Sequence, residues 1–396
     1  MNKLTDGRRV GVIFGGRSVE HEVSIVTAHQ GMDALKVAGF EILPMYISKL
    51  GYWYAGDGLY NLRAYADLSR DFAKLPGVSR VSLSPDRGIR RLLAGRDRRS
   101  LFRQPPPLWA DVFFPMTHGS FGEDGTLAGL LELAGVPYVG AGVLASAIGV
   151  DKAMTKRVAR ASGVPVLDCL VLEREIIHTD PAAARAQIAA FAEMPVMVKP
   201  VHLGSSIGVR RCAGADELIE GLAVAATIDT HVLVEPALAD FFEINCSVIG
   251  PPEEVSVCEQ PKTDATVLSF EEKYQRGTKS SPGAPAAGMA SLDRIIPAPI
   301  PDELTRVIQR LALTVFTTIG ASGVARIDFL YDRTTSKLYF NEINTIPGSL
   351  AFYLWEATGL TFDELMSRLM GTALKRSRAR DTTVFSFEAN LLKTLS

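Results

Sequence analysis

"GVARIDFLYDRTTSKLYFNEINTIPGS", residues 323–349, sets two apolar runs, VARIDFLY and KLYFNEIN, around the polar turn DRTTS. Such runs on either side of a turn predict a β-hairpin. Side chains alternate along a strand, so Glu342 and Asn344 share one face. Pairing about the centre of the turn puts Asp328 opposite Glu342 on that face, and Arg326 shares it. Two carboxylates and an amide oxygen then converge, hard donors of the kind that hold Mg²⁺ against nucleotide phosphates. The alternative is a surface hairpin with solvated acids. The apolar framing argues against it, because polar groups on an inward face need partners.

A phosphate-bound metal calls for cations and amide donors nearby. "VMVKPVHLGSSIGV", residues 196–209, supplies them: Lys199 ends an apolar run, and Gly204, Ser205 and Ser206 follow in a small-residue loop. Lys199 and the loop amides would form a donor-rich flap for phosphate oxygens. A surface hairpin with a solvated lysine is the other reading of the same letters. "FGGRSVE" at 14–20 places glycine amides and a helix start after the first strand, which is either an anion site or a simple turn. "VGAGVLASA" at 139–147 has the G-x-G-x-x-A form. The acid expected about 20 residues on is missing, so it reads as a tight strand-to-helix turn. No G-x-x-x-x-G-K-[ST] occurs, which excludes a P-loop enzyme.

Outward from these sites, "RVGVIFGG", a helical stretch from Ser18 and "EILPMYIS" read as β-α-β, implying a parallel sheet. "ADVFFPMTHGSFGEDGTLAGLLELAGVPYVG" repeats that logic, with a helix from about Thr126 and a short strand after it. Residues 55–105 read as an irregular excursion. A mixed unit follows from Val150: a helix at DKAMTKRVARAS, another opened by Asp180 and Pro181, strands at MPVMVKP, IGVRRC and HVLVEPAL, and a helix at GADELIEGLAVAA. Beyond Asp240 come further strands, a long low-complexity loop (276–292) and C-terminal helices.

With 396 residues, two or three domains are expected. Lys plus Arg (42) nearly balances Asp plus Glu (44), so the basic footprint of a nucleic-acid binder is absent. No run reaches the roughly 18 apolar residues of a membrane span. Cys169, Cys212, Cys246 and Cys258 are scattered, as buried thiols of a reducing cytosol would be. A cytoplasmic protein acting on small molecules, with no nucleic-acid or membrane partner, is expected.

Six segments in order, VGVIFGGRSVEHEVS, THGSFGEDGTLAGLLELAGVPYVGAG, DKAMTKRVA, VKPVHLGSSIGV, EEKY and ARIDF…NEINTIPG, resemble the D-alanine–D-alanine ligases of the ATP-grasp superfamily over nearly the whole chain. The resemblance implies an α/β and α+β architecture of three domains: an N-terminal parallel-sheet domain (1–149) and two ATP-grasp subdomains (150–238 and 239–396). The last of these carries the lid loop and metal site. It implies ATP and two Mg²⁺ ions, with Mn²⁺ as a substitute, and a homodimer.

It also implies residue roles. Lys152, Lys199 and Lys273 would contact phosphates, with Gly204 and Ser206 in the flap. Glu235, with Leu238, would lie beside the adenine, and Glu243 would meet the ribose. Asp328, Glu342 and Asn344 would hold metal. Glu20 and His118 would hold the first amino acid. Ser205, Tyr274 and Glu20 would latch the mobile 270–292 lid. Arg326 and the Gly348 amide would stabilise the tetrahedral intermediate.

Three features depart from the family pattern. The segment after NEINTIPG is short, leaving Ser349 and Leu350 as candidates to grip the second substrate's carboxylate. The lid is long, and EPALADFFEI lacks the usual Gly-Arg-Glu before Glu243. Tyr274, where ester-forming members carry histidine, points to an amine acceptor. The expected activity is joining two D-alanines through an acyl phosphate for peptidoglycan synthesis. A dipeptide ligase with another acceptor and a non-catalytic nucleotide-binding regulator are the competing readings.

Overall fold

The computed structural model describes residues 7–94, 108–262 and 293–385. In the first sheet, β1 (Arg9–Gly15) leads through α1 (His21–Val37) to β2 (Glu41–Ile47). β1 pairs in parallel with β2 in register Gly15↔Ile47. The helical return over one face is what parallel pairing requires. Gly15 makes the sharp exit possible: its φ is +85°, and a Cβ there would lie 2.3 Å from the carbonyl oxygen of Ile47.

The 55–105 stretch is less irregular than its letters suggest. β3 (Trp53–Ala55), β4 (Ser79–Leu83) and β5 (Leu92–Ala94) extend the sheet antiparallel beyond β2. They are only three to five residues long, too short for alternation to show against Arg and Gly. β6 (Val112–Pro115) closes the other edge, in parallel with β1. The sheet is therefore mixed, in the order β5-β4-β3-β2-β1-β6. α2 (Thr126–Leu133) follows, and the short strand expected after it is a single parallel bridge, Phe113↔Tyr138.

The glycine turn at 140–142 opens α3 (Val143–Val150), and α4 (Lys152–Ala161) comes next, capped by the Asp151 carboxylate. The turn packs rather than binds: the Gly140 carbonyl accepts from Ser322 and Arg376. A four-stranded antiparallel sheet contains β7 (Leu170–Glu173), β8 (Val196–Pro200), β9 (Arg210–Cys212) and β10 (His231–Pro236). α5 (Arg174–Thr179), α6 (Pro181–Phe191) and α7 (Ala215–Ile228) accompany it. β8 and β9 form the expected hairpin, and Asp180 caps α6 by accepting the Ala183 N–H at 3.0 Å. β7 and α5 are too short to have been read from periodicity.

The third sheet is antiparallel: β11 (Phe241–Gly250), β12 (Glu254–Pro261), β13 (Arg294–Ile295), β14 (Gly323–Asp332) and β15 (Lys337–Asn344) in the order β13-β12-β11-β14-β15. α8 (Asp302–Thr318) packs on it, and its core also takes in Ala145 of α3 and Ala159 of α4. α9 (Phe352–Thr358) and α10 (Phe362–Asp381) end the described chain. Leu365, Leu369 and Met370 of α10 share a core with Val10, Ile25 and Met32 of the first unit. The last helix thereby ties the two ends of the molecule together.

Candidate active site

β8, β10 and β11, with the end of β14 and β15, wall a cleft lined by Lys152, Lys199, Ser206, Glu235, Leu238, Glu243 and Glu342 among others. At its base lies a buried charge cluster. The Lys156 ammonium donates to one Glu235 oxygen at 2.6 Å, and Lys199 donates to the other and to Asn341 Oδ1 at 3.2 Å. Burial pushes the Glu235 carboxyl up, but the two ammonium groups outweigh it and hold it at about 2. Glu235 is therefore ionised, and the trio carries a surplus positive charge into the cleft. Lys152 donates to the Leu203 carbonyl and lies 3.4 Å from Glu342 Oε2.

The hairpin register is as expected: Asp328 sits across from Glu342, and Arg326 across from Asn344. Asn341 has no partner in that register, because a bulge follows Asp328, and this turns Asn341 toward Lys199. Arg326 donates through Nε and one Nη to the two oxygens of Asp328, both at 2.7 Å, and Asn344 Nδ2 donates to Asp328 at 3.1 Å. Burial raises the Asp328 carboxyl to about 6; Arg326 opposes this, and Glu243 and Glu342 add to it. That surplus of negative charge is what a divalent cation would relieve, so Asp328, Glu342 and Asn344 fit one. Behind them, Glu259 accepts from Arg294 at 2.6 Å, from Asn245 at 3.2 Å and from Tyr353 at 3.3 Å.

A second group lies where the first unit meets the other two. Ser205, held at φ +53°, donates its hydroxyl to Glu20 at the start of α1. Gly204 adjoins the same carboxylate: a Cβ there would lie 3.6 Å from Glu20 Oε2. His118 Nε2 lies 3.0 Å from Thr27 Oγ1, which also accepts the Ser349 N–H at 3.2 Å. Burial lowers His118 to about 4, so it is neutral at pH 7. The backbone after Gly348 is unusual: Ser349, Leu350 and Ala351 all have φ near +50°. Three successive left-handed non-glycine residues are costly, and their burial and the Leu350 N–H to Pro347 carbonyl bond at 2.7 Å hold them there. The buried Ser349 hydroxyl has no hydrogen-bond partner within the described residues.

Two family models match consecutive parts of the chain: D-ala D-ala ligase N-terminus over residues 9–141 and D-ala D-ala ligase C-terminus over 158–371. The chain belongs to the D-alanine–D-alanine ligase family. Curated relatives agree along almost the full length. The D-alanine–D-alanine ligase of Caldicellulosiruptor bescii is 35% identical over 96% of this chain and 99% of its own. That of Heliobacterium modesticaldum is 37% identical over 94% and 96%. Among solved structures, the D-alanine–D-alanine ligase of Coxiella burnetii aligns with TM-score 0.76 at 27% identity, covering 98% of this chain and 99% of that one. The VanG D-Ala:D-Ser ligase of Enterococcus faecalis aligns with TM-score 0.75 at 28% identity, covering 93% and 99%. The fold is thus that of ATP-grasp ligases, and the chain is a ligase of small molecules dependent on ATP and a divalent metal.

For this ligase, Lys273, Tyr274 and the expected lid lie outside the described residues. The other expected residues gather in the two groups above. Lys156, Thr27, Glu123 and Asn341 were not singled out. Glu123 is the most consequential: its carboxylate accepts the Gly119 N–H at 2.7 Å and the Ile346 N–H at 3.2 Å, stitching the His118 loop to the loop after β15. Burial and then the charge of Glu20 raise it to about 8. Lys156 was legible, since it lies four residues after Lys152 on one helix face. Thr27 and Glu123 carry no such spacing signal. No helix among the described residues is long and apolar enough to cross a membrane.

Proposed function

We propose that this ligase joins two D-alanines, with cleavage of Mg·ATP to ADP, through an acyl phosphate, supplying peptidoglycan synthesis in the cytoplasm as a homodimer. The observation that carries the reading is the adjacency of two groups: the buried cation cluster with its facing carboxylates, and the Glu20–Ser205 and His118–Thr27–Ser349 contacts beside it. Three functional units, 1–149, 150–238 and 239–396, would each contribute a wall.

Lys152 and Lys199, with the amides of Gly204 and Ser206, would bind the nucleotide phosphates. The adenosine would lie along Glu235, Leu238 and Glu243. Magnesium held by Asp328, Glu342 and Asn344 would supply charge neutralisation for the transferring phosphoryl group. Glu20 would bind the ammonium of the first D-alanine, and neutral His118 would orient it. Its carboxylate is then placed to attack the γ-phosphoryl group, mostly by positioning. Ser349 and Leu350 would hold the acceptor's carboxylate chiefly through the Ser349 hydroxyl, which has no hydrogen-bond partner among the described residues, since their two amides already bond Thr27 and the Pro347 carbonyl.

As the acceptor amine attacks the acyl carbonyl, Arg326 and the Gly348 amide would take the developing oxyanion; its collapse breaks the acyl C–O bond and releases inorganic phosphate, which takes the amine proton. Arg326 already spends two donors on Asp328, so its remaining Nη hydrogens must serve. Lys273 would contact the phosphates, the lid would exclude water, and Ser205 and Tyr274 would latch it through Glu20.

The test is phosphate release from Mg·ATP with D-alanine, D-serine, L-alanine and D-lactate, singly and in pairs, with products weighed by mass spectrometry. D-Ala-D-Ala formation, lost in Asp328→Ala, is expected. Preferential D-Ala-D-Ser would assign the acceptor differently, and no amino-acid-dependent release would overturn the ligase reading.

A further inference from the structure

His202 stands at the root of the loop bearing Gly204, Ser205 and Ser206, and no role in the chemistry above falls to it. Its Nδ1 lies 3.0 Å from Asp229 Oδ1, and its Nε2 lies 3.5 Å from Asp151 Oδ2. Its backbone N–H donates to Asp229 Oδ2 at 2.6 Å. Both carboxylates have structural duties. Asp151 caps α4, accepting the Met154 N–H at 2.8 Å, and α4 presents Lys152 and Lys156 to the cleft. Asp229 also accepts the N–H of His231 at 3.1 Å, where β10 sets out toward Glu235. One imidazole therefore joins a loop, a helix and a strand, each of which delivers a group to the cleft.

Few other groups face it. The His231 ring stands edge-on with centroids 5.8 Å apart, and Arg174 donates to the Asp229 carbonyl at 2.9 Å. The Lys152 ammonium is committed to Leu203 and Glu342. A ring flanked by carboxylates at both nitrogens donates to both only as imidazolium. His202, Asp229 and His231 also form the one grouping of three metal-ligating side chains within 4.8 Å among the described residues. As an imidazolium, His202 carries a proton on each ring nitrogen, one toward each carboxylate, so it has no lone pair to offer a metal.

We propose that His202 is a positioning residue for nucleotide binding: its imidazolium, shared between Asp151 and Asp229, fixes the phosphate loop and the helix bearing Lys152 in their binding arrangement. The proposal rests on the nucleotide reading of the cleft. The hydrogen bonds to Asp151 and Asp229 raise the ring to about 9, against burial, which lowers it. Because the folded value lies above the ordinary 6.5, the stability gained is complete below that value and is lost as pH rises through about 9.

The test is Mg·ADP binding by titration calorimetry on the full chain, wild type against His202→Asn and His202→Arg, between pH 7 and 10, with thermal unfolding of the same samples. Asparagine cannot bridge two carboxylates as a cation, so about tenfold weaker binding is expected at neutral pH. Arginine, always charged and fork-shaped, should restore affinity to within about threefold. Any decline common to all three proteins at high pH is set aside. Wild type alone should show an added decline near pH 9 that brings it to the asparagine variant.

Binding by folded His202→Asn within twofold of wild type would overturn the proposal. So would equal losses of affinity in both variants that track their melting temperatures, or parallel pH profiles. ADP binding needs no turnover, so a missing dipeptide product would sink the ligase reading while leaving this comparison intact. A wild type that binds no nucleotide would sink both.

Discussion

Glu235 shows how a single side chain can be both structural and electrostatic. Its carboxylate is almost wholly buried between the ammonium groups of Lys156 and Lys199. Glu235→Gln would leave two buried cations facing each other, and removing one partner of such a cluster costs roughly 3–5 kcal/mol. A matching drop in urea-unfolding free energy at pH 7 is the expected result. The same glutamate makes a pH prediction. Its folded value lies below the ordinary 4.5, so its contribution is present above that pH and lost as pH falls through about 2. Acid unfolding of wild type below pH 4.5 should be steeper than that of Glu235→Gln.

His118 also costs stability as pH falls, but because it is buried neutral rather than paired. Burial holds it near 4, so the unfolded chain binds its proton first and the fold weakens as pH falls from 6.5 toward 4. Its imidazole NMR signals should remain those of the neutral ring at pH 5.5. A protonated ring there would remove its neutral hydrogen bonding to Thr27.

Among the elements, the β14–β15 hairpin was legible because two apolar strands and a polar turn fix alternation and register together, and Asp328 duly faces Glu342. The loop at 203–206, proposed for phosphate, was legible as a loop in its small residues. The left-handed run at 349–351 was not, because nothing in the letters Ser, Leu and Ala asks for positive φ. The bulge that turns Asn341 toward Lys199 was equally hidden, since one extra residue leaves no mark in a strand pattern. Thr27 and Glu123 were missed because the partners that place them at the site, His118 and Ser349 for Thr27 and Ile346 for Glu123, lie far along the chain.

Two tests belong at this scale. Leu350→Val puts a β-branched side chain where φ is +53°, so it should cost about 2 kcal/mol and lower kcat/KM for D-alanine by at least about tenfold. Asp180→Ala removes the cap of the remote helix α6, and should cost about 1 kcal/mol with unaltered turnover.

Across the whole molecule, the first unit is held to the third by a shared apolar core and by a few polar groups, and Arg376 is prominent among the latter. It donates to the carbonyls of Gly140 at 2.7 Å and Tyr138 at 3.0 Å, contacts Ser322, and stacks its guanidinium 4.3 Å from the Tyr138 ring centroid. Arg376→Ala should cost about 2–3 kcal/mol, and hydrogen exchange should quicken around residues 136–142 before it does elsewhere.

The Ser205–Glu20 hydrogen bond spans 185 positions of sequence and joins the loop proposed for phosphate to the carboxylate proposed for the amino acid's ammonium. Occupancy at one end would therefore change the conformational freedom of the other. By thermodynamic reciprocity, nucleotide must sharpen amino-acid affinity by the same factor by which amino acid sharpens nucleotide affinity. Before any bond forms between them, the two ligands would thus share one free energy, and each would reach its site already knowing whether the other had come.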